Sequence, residues 1–331
     1  VNALLQGGVS VDVRLAPDDL RLALRRDALI GLSARPKWMP PVWFYDDRGS
    51  ELYEQITRLP EYYPFRAERA LLREVAGEIA GAARAEVLVE LGSGTSEKTH
   101  LLLDAMAACP TGLAGCVGFD VSEATLRAAS ATLADEFGIG VHAVVGDFHN
   151  HLDAIPDVGR PRLVAFLGST IGNLDPEQRS VFLAGLARLL RPDDSFLLAT
   201  DLVKPVDRLV AAYDDAAGVT AEFNRNLLHV LNRELGATFD PSRFVHVARW
   251  NPEQSWIEMR LRARGFMGVV VKALGMRVDF ASGEEIRTEV STKFTPDRVR
   301  DELAAAGFAV VDMWTDPAPD YLLTLARPMG T

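Results

Sequence analysis

Glu90-Leu-Gly-Ser-Gly-Thr-Ser-Glu-Lys98 is the stretch of this 331-residue chain whose residue types and spacing most directly describe chemistry. The apolar residues Val87, Leu88, Val89 and Leu91 read as a short buried parallel strand that runs past an acid into a glycine-rich turn opening a helix. Gly92 and Gly94 remove the Cβ atoms that would hold a ligand away from the backbone, and the first amides of the following helix point into the same crevice. Three ligand classes use such a turn: dinucleotides, nucleoside triphosphates and S-adenosyl-L-methionine (SAM).

Glu97 separates them. Gly92, Lys98 and Thr99 stand where a Walker phosphate loop would have them, but Glu97 takes the place of its second glycine and would repel the phosphates. The same residue replaces the third glycine of the dinucleotide fingerprint. SAM carries no phosphate, and its sulfonium and α-ammonium are positive, so Glu90 and Glu97 help or do no harm. Two further strand ends agree. Val117 to Phe119 lead to Asp120, an acid placed to accept from both ribose hydroxyls, a feature that NAD sites share. Val141 to Val145 lead to Gly146-Asp147-Phe148, where a carboxylate and a neighbouring ring suit an adenine. Either acid alone could be a helix N-cap. Together Gly92/Gly94, Asp120 and Asp147-Phe148 describe one adenosyl ligand lying across a parallel sheet.

These strand ends need a scaffold. Strands are expected at 87–91, 116–119, 141–145, 162–167 and 195–201, and helices at 67–83, 96–107, 122–136 and 176–190. Alternation at this spacing calls for an α/β fold, a mostly parallel Rossmann-like sheet with helices on both faces. After Lys204 the pattern changes. A helical stretch over 206–235 precedes four β-rich runs, 244–250, 255–264, 269–280 and 285–294, which read as an inserted antiparallel meander. A helix at 295–306 and strands at 309–315 and 321–326 return as a closing antiparallel pair. Pro-rich 35–41 and 59–64 flank a helix at about 49–58, so residues before about 65 read as a lid-like segment. The expected division is discontinuous: 66–202 and 292–331 as a cofactor-binding domain, 1–65 and 203–291 as an α+β substrate-recognition domain.

Composition narrows the partners. The formal charge of −11 argues against a nucleic-acid or anionic-membrane surface, since phosphate binding draws on clustered Lys and Arg. Small molecules remain. Cys109 and Cys116 are the only cysteines, wrongly spaced for zinc and read as packing residues of a reducing compartment. Val1 to Leu15 lacks a basic start followed by an apolar segment, and no apolar run reaches spanning length, so a cytoplasmic protein with no membrane association is expected.

The runs Phe44-Tyr-Asp-Asp-Arg-Gly-Ser50, Leu59-Pro-Glu-Tyr-Tyr-Pro64, Glu90 to Lys98, Phe166-Leu-Gly-Ser-Thr-Ile-Gly-Asn173 and Tyr213-Asp-Asp-Ala-Ala-Gly218 resemble the SAM-dependent L-histidine Nα-methyltransferases of ergothioneine biosynthesis. The resemblance covers nearly the whole chain, and fungal dimethylallyltryptophan N-methyltransferases share much of it. It implies a class I methyltransferase fold and three successive methyl transfers to the α-amine of histidine, with S-adenosyl-L-homocysteine released, no metal, and a monomer. A tryptophan derivative is the alternative substrate, and an ATP- or NAD-binding protein the reading from another class. The resemblance places the SAM site at Tyr62, Gly92, Lys98, Asp120, Asp147 and Phe148, with Tyr63 an alternative ring to Tyr62. It places the histidine site at Tyr45, Asn173, Tyr213, Met259, Glu289 and Ser291, with Asn173, Tyr213 and Tyr45 closest to the chemistry.

The residue types suit those roles. Methyl transfer from a sulfonium needs a neutral amine lone pair in line with the S–CH3 bond, so the protein mainly positions two ligands and excludes water. Asn173 follows the strand at 162–167 and its amide can donate to a carboxylate; it also fits a plain turn asparagine. Glu289 and Ser291, two apart in a β-rich run, share a face and could grip an imidazole by its two nitrogens, or simply meet solvent. His149 and His151 lack a third ligand and read as loop residues. Asp214 and Asp215, adjacent on a helix, read as exposed charge.

Overall fold

The computed structural model describes residues 7–15, 17–94, 97–148 and 150–330, without the side chains of Pro17 and Glu97. Thr95, Ser96, His149 and the carboxylate of Glu97 therefore lie outside the described residues. The chain forms two compact units: Val1–Ala16, Ala67–Leu202 and Phe294–Thr331 in one, Pro17–Arg66 and Val203–Lys293 in the other.

In chain order, β1 (Gly8–Val13) precedes α1 (Pro17–Ser33), β2 (Lys37–Trp38), α2 (Asp47–Thr57) and α3 (Tyr63–Ala83). There follow β3 (Val87–Leu91), α4 (Glu97–Ala107), β4 (Gly115–Asp120), α5 (Glu123–Phe137), β5 (Gly140–Val145), β6 (Arg162–Phe166), α6 (Pro176–Leu189) and β7 (Ser195–Asp201). The second unit then takes α7 (Val206–Tyr213), α8 (Val219–Leu235), β8 (Phe244–Asn251), β9 (Trp256–Ala263), β10 (Met267–Val271), β11 (Met276–Phe280) and β12 (Glu285–Thr292). The chain ends in α9 (Pro296–Ala305), β13 (Phe308–Thr315) and β14 (Tyr321–Pro328) in the first unit.

The first unit is an eight-stranded sheet in the order β1-β5-β4-β3-β6-β7-β14-β13. From β1 to β7 every pairing is parallel, and β14 and β13 close the sheet antiparallel. This is the class I SAM-dependent methyltransferase order with one extra edge strand. Every residue of β3 is buried, as a central strand covered on both faces requires. Helix α6 begins on a reciprocal cap, with Asp175 accepting from the Gln178 amide and the Gln178 side chain accepting from the Asp175 amide. A buried ion pair, Arg162 to Asp194 at 2.6 Å, ties the start of β6 to the turn before β7. Connections leave β3 toward β4 on one side and enter β6 on the other, so the chain reverses direction across the sheet at the carboxyl end of β3. Open α/β sheets bind ligands at that point.

The expected grouping of residues 1–65 does not hold for the first of them. Gly8 to Val13 pair residue for residue with Gly140 to Val145 at the edge of this sheet. Alternating valines suit such a half-exposed edge strand.

In the second unit a four-stranded sheet runs β2-β12-β9-β8, and β10-β11 form a separate hairpin. The run 269–280 is thus not one strand of a meander: Lys272 to Leu274 turn, and Gly275 adopts the left-handed conformation that closes the hairpin. The expected helix 206–235 is likewise two helices. Asp215 is buried between them and accepts from the amides of Val219 and Thr220, which starts α8 anew. Its carboxylate is not exposed charge. Burial opposes ionisation, but these hydrogen bonds win and hold its pKa below the usual range. The core includes Leu52, Ile56, Phe223, Leu227, Leu231, Ile257 and Ile286. No helix among the described residues is long and apolar enough to cross a membrane.

Candidate active site

In the first unit the glycine turn leaves β3 with Gly92 at φ 72° and Gly94 at φ 47°. Among the described residues, a Cβ on either would meet no atom beyond the neighbouring residues within 4 Å. Asp120, at the end of β4, braces the turn: one carboxylate oxygen accepts from the Gly94 amide at 3.2 Å and the other from the Ser122 amide at 2.9 Å. Asp120 is therefore not the N-cap of α5, a place Ser122 takes. Burial raises its pKa despite the amides that favour its charge.

Behind the turn, Glu90 is buried and accepts from the Thr99 hydroxyl. Burial, opposed by that bond and by Lys98, pushes its pKa up to about 7. Lys98 donates to Glu68 at 2.6 Å, and the other oxygen of Glu68 accepts from the Gly168 amide at 2.7 Å. Glu68, a buried residue of α3, thus fastens the first turn of α4 to the segment after β6. Ser169 in that segment sits at φ 54° and accepts from the Asp201 amide at 2.9 Å; Thr170 to Asn173 then form a 3-10 turn. Asn173 is presented by a turn held from both sides.

After β5, Asp147 accepts from the Asn150 side chain at 2.7 Å, while its own amide donates to His151 Nδ1 at 3.1 Å. His151 is a loop brace. Phe148 packs edge-on against Phe166 and Phe182, with centroids 5.2 and 5.8 Å away. Gly92, Lys98, Asp120, Asp147, Phe148 and Asn173 all belong to this unit: Asp120 ends β4, and the others lie on segments that follow β3, β5 and β6.

The second unit holds the other expected residues. Asp46 caps α2 by accepting from the Gly49 amide at 2.8 Å, and it also accepts from Asn226 and Arg233. Burial opposes its charge, but these donors hold its pKa low. Gly49 is required here because a Cβ would come within 1.6 Å of the Phe44 carbonyl oxygen. These contacts fix the backbone on both sides of Tyr45. Its ring meets Tyr53 and Phe223 edge-on, each at 5.6 Å. Tyr62 joins the same group, 6.4 Å from Tyr53 and 6.2 Å from Tyr213. Burial, with three phenols around it, raises its pKa well above the usual tyrosine value. Tyr63 is placed elsewhere, its hydroxyl accepting from Lys204 and its ring under Lys204 and Arg208. Of the adjacent pair, Tyr62 is the ring that meets Tyr213.

Glu289 on β12 stands directly opposite Met259 on β9. Burial pushes the Glu289 carboxyl up to about 7, opposed by Lys293. Tyr213 Oη lies 2.7 Å from Ser291 Oγ, so β12 and the α7 phenol form one hydrogen-bonded group. A fully buried polar chain supports them. Thr288 donates to Asn224, Asn224 donates to His246 Nδ1, and His246 Nε2 reaches the Tyr213 carbonyl at 2.8 Å. Burial lowers the His246 pKa, which keeps the ring neutral for both bonds.

Sequence reasoning missed Glu68, Lys293, Tyr53 and His246. The alternation Glu289-x-Ser291-x-Lys293 carried a signal for the lysine; Glu68 and His246 act through partners distant in sequence, and Tyr53 through rings on neighbouring segments.

A family described as histidine-specific, SAM-dependent methyltransferases matches residues 24–328. Over 313 residues the chain is 58% identical to the histidine N-alpha-methyltransferase of Mycolicibacterium smegmatis, covering 94% of this chain and 97% of that one. The histidine N-alpha-methyltransferase of Mycobacterium tuberculosis is 56% identical over 96% of this chain and 99% of its own. A Neurospora crassa protein named ergothioneine biosynthesis protein 1 is 27% identical over 92% of this chain, which spans 35% of that longer protein.

Proposed function

The chain belongs to the SAM-dependent, histidine-specific methyltransferase family, and we propose that it moves three methyl groups in succession from SAM to the α-amino nitrogen of L-histidine. The product is Nα,Nα,Nα-trimethyl-L-histidine, an intermediate of ergothioneine biosynthesis, and each step releases S-adenosyl-L-homocysteine. The observation that carries this reading is Glu289 opposite Met259, on the same strand as a Ser291 that is hydrogen-bonded to Tyr213. A carboxylate and a hydroxyl two residues apart match the two nitrogens of an imidazole.

The cofactor residues fit their group. The backbone at Gly92 and Gly94 would admit the methionyl portion of SAM, Asp120 beside it would accept from the ribose hydroxyls, and Asp147 with Phe148 would hold the adenine. Lys98 and Tyr62 complete the set. The sulfonium supplies an activated methyl, so the protein needs no further electrophile. Asn173 donates to the substrate carboxylate while Tyr213 and Tyr45 orient the amine. In each transfer the amine lone pair would take the methyl as its bond to sulfur breaks, and a proton lost to water after the first and second transfers would restore the lone pair. The third leaves none, which ends the sequence. The two free thiols, Cys109 and Cys116, suit a reducing cytoplasm.

Incubation with SAM and each common amino acid, followed by product masses, tests this. A histidine product three methyl groups heavier is expected. Methylation of a different amino acid in its place refutes the substrate, and an end point at one or two methyls refutes the count.

A further inference from the structure

Lys293 is 1% exposed, and a lysine so enclosed needs both hydrogen-bond acceptors and a counter-charge. Its ammonium donates to Tyr213 Oη at 2.9 Å and to Ser291 Oγ at 2.8 Å, and lies 4.7 Å from the centre of the Tyr213 ring. Its own amide is fixed to the Ser255 carbonyl at 2.7 Å, so the stem starts from a rigid point. Two hydroxyls satisfy hydrogen bonds but carry no charge. Glu289 does; it shares one face of β12 with Ser291, whose hydroxyl the ammonium holds, and Lys293 follows directly on the end of that strand.

We propose that Lys293 is a positioning residue of the amino-acid site, locking the Tyr213 and Ser291 hydroxyls together and serving as a counter-charge that favours the anion of Glu289. An ammonium donates only, so both hydroxyl oxygens must accept from it, and their spacing is set by one nitrogen. The anion at Glu289 then calls for a substrate side chain that brings an N–H donor, which an imidazole does and a phenyl or alkyl group does not.

Burial and Lys293 act oppositely on Glu289, and Lys293 is the charged group that bears on it. Met259 opposite is neutral, and on β12 Arg287 stacks against Trp256 before a register shift separates it from Glu289. Loss of the lysine charge therefore moves Glu289 ionisation to higher pH. This inference rests on histidine being the substrate.

The test compares Lys293→Met with the parent enzyme, reading kcat/KM for histidine from pH 6 to 9 and SAM affinity by calorimetry. Ionisations of histidine itself are common to both enzymes and cancel in the ratio. The expected result is a loss of roughly 30-fold or more at pH 7, shrinking as pH rises, with SAM affinity unchanged. Lys293→Arg, which keeps the charge, should retain the parent's pH dependence with a raised KM. A ratio flat with pH, or unaltered histidine kinetics, overturns the proposal, and Lys293→Gln provides the same reading if the methionine variant does not accumulate. A parent enzyme inert toward histidine would instead overturn the substrate assignment, so the two failures are distinct.

Discussion

Asp120→Ala should weaken SAM binding through two separable losses. The direct one is the acceptor for the ribose hydroxyls, worth about 1–3 kcal/mol in a largely enclosed site, or roughly ten- to a hundred-fold in affinity. The indirect one is the brace on the glycine turn. One oxygen holds the Gly94 amide at 3.2 Å and the other the Ser122 amide at 2.9 Å, so truncation leaves both donors without this acceptor. Hydrogen bonds to a charged acceptor contribute about 1.5–3 kcal/mol each, and part of that should appear as lower resistance to urea even without ligand. Asp120→Asn keeps one acceptor oxygen and loses the charge, and should fall between the two. Calorimetric titration with both SAM and S-adenosyl-L-homocysteine distinguishes the causes. The two ligands share the ribose and differ in the sulfonium charge, so a ribose contact predicts equal losses for both. A folded Asp120→Ala protein that binds SAM with undiminished affinity would refute the assignment, and a loss confined to SAM would replace the ribose contact with a charge effect.

Three further outcomes follow from Glu90 and Glu289. The Glu90 pKa rises from 4.5 to about 7 in the fold, so between those values the unfolded chain is ionised while the native carboxyl keeps its proton. Stability contributed by Glu90 is lost as pH rises through that window, by up to about 3 kcal/mol. Glu90→Gln keeps an acceptor for Thr99 and should melt higher than the parent at pH 8, with the gap closing near pH 4.5. For turnover, Glu289 must be ionised and the attacking amine neutral; with Glu289 at about 7, kcat/KM for histidine should climb from pH 6 to 9. A flat profile with chemistry rate-limiting would contradict this. Glu289→Ala should reduce histidine turnover and improve tryptophan relative to histidine, since truncation removes the carboxylate that would pair with an imidazole nitrogen and leaves apolar space for a larger indole; an unchanged histidine-to-tryptophan ratio would move the imidazole contact elsewhere.

Local signals made the strand ends legible. The apolar run before Gly92, the acid at Asp120 and the Gly146-Asp147-Phe148 turn are short-range patterns, and the structure makes the run β3, ends β4 at Asp120 and places the turn directly after β5. Elements set by long-range pairing were not legible. Gly8–Val13 is recognisable as a strand only once Gly140–Val145 offers it an edge, and Lys37–Trp38 is too short to show a period. Helices α7 and α8 read as one because the break at Asp215 depends on a carboxylate reaching the amides of Val219 and Thr220. Within the candidate site, Glu289 and Ser291 were visible as a pair, but their tie to Tyr213, 78 residues before Ser291, was not. That tie matters for mutagenesis: Tyr213 and Ser291 form one hydrogen-bonded unit, so the head-group and ring contacts proposed for them cannot be altered independently through either residue.

The position of the methyl groups tests the central claim most directly. If Glu289 and Ser291 hold both ring nitrogens, only the α-nitrogen is open to transfer, and nuclear magnetic resonance of the product from ¹⁵N-labelled histidine should show every methyl on the α-nitrogen and an unsubstituted imidazole. A methyl group on either ring nitrogen would contradict the account, because the nitrogens assigned to the carboxylate and the hydroxyl would then be the ones that react.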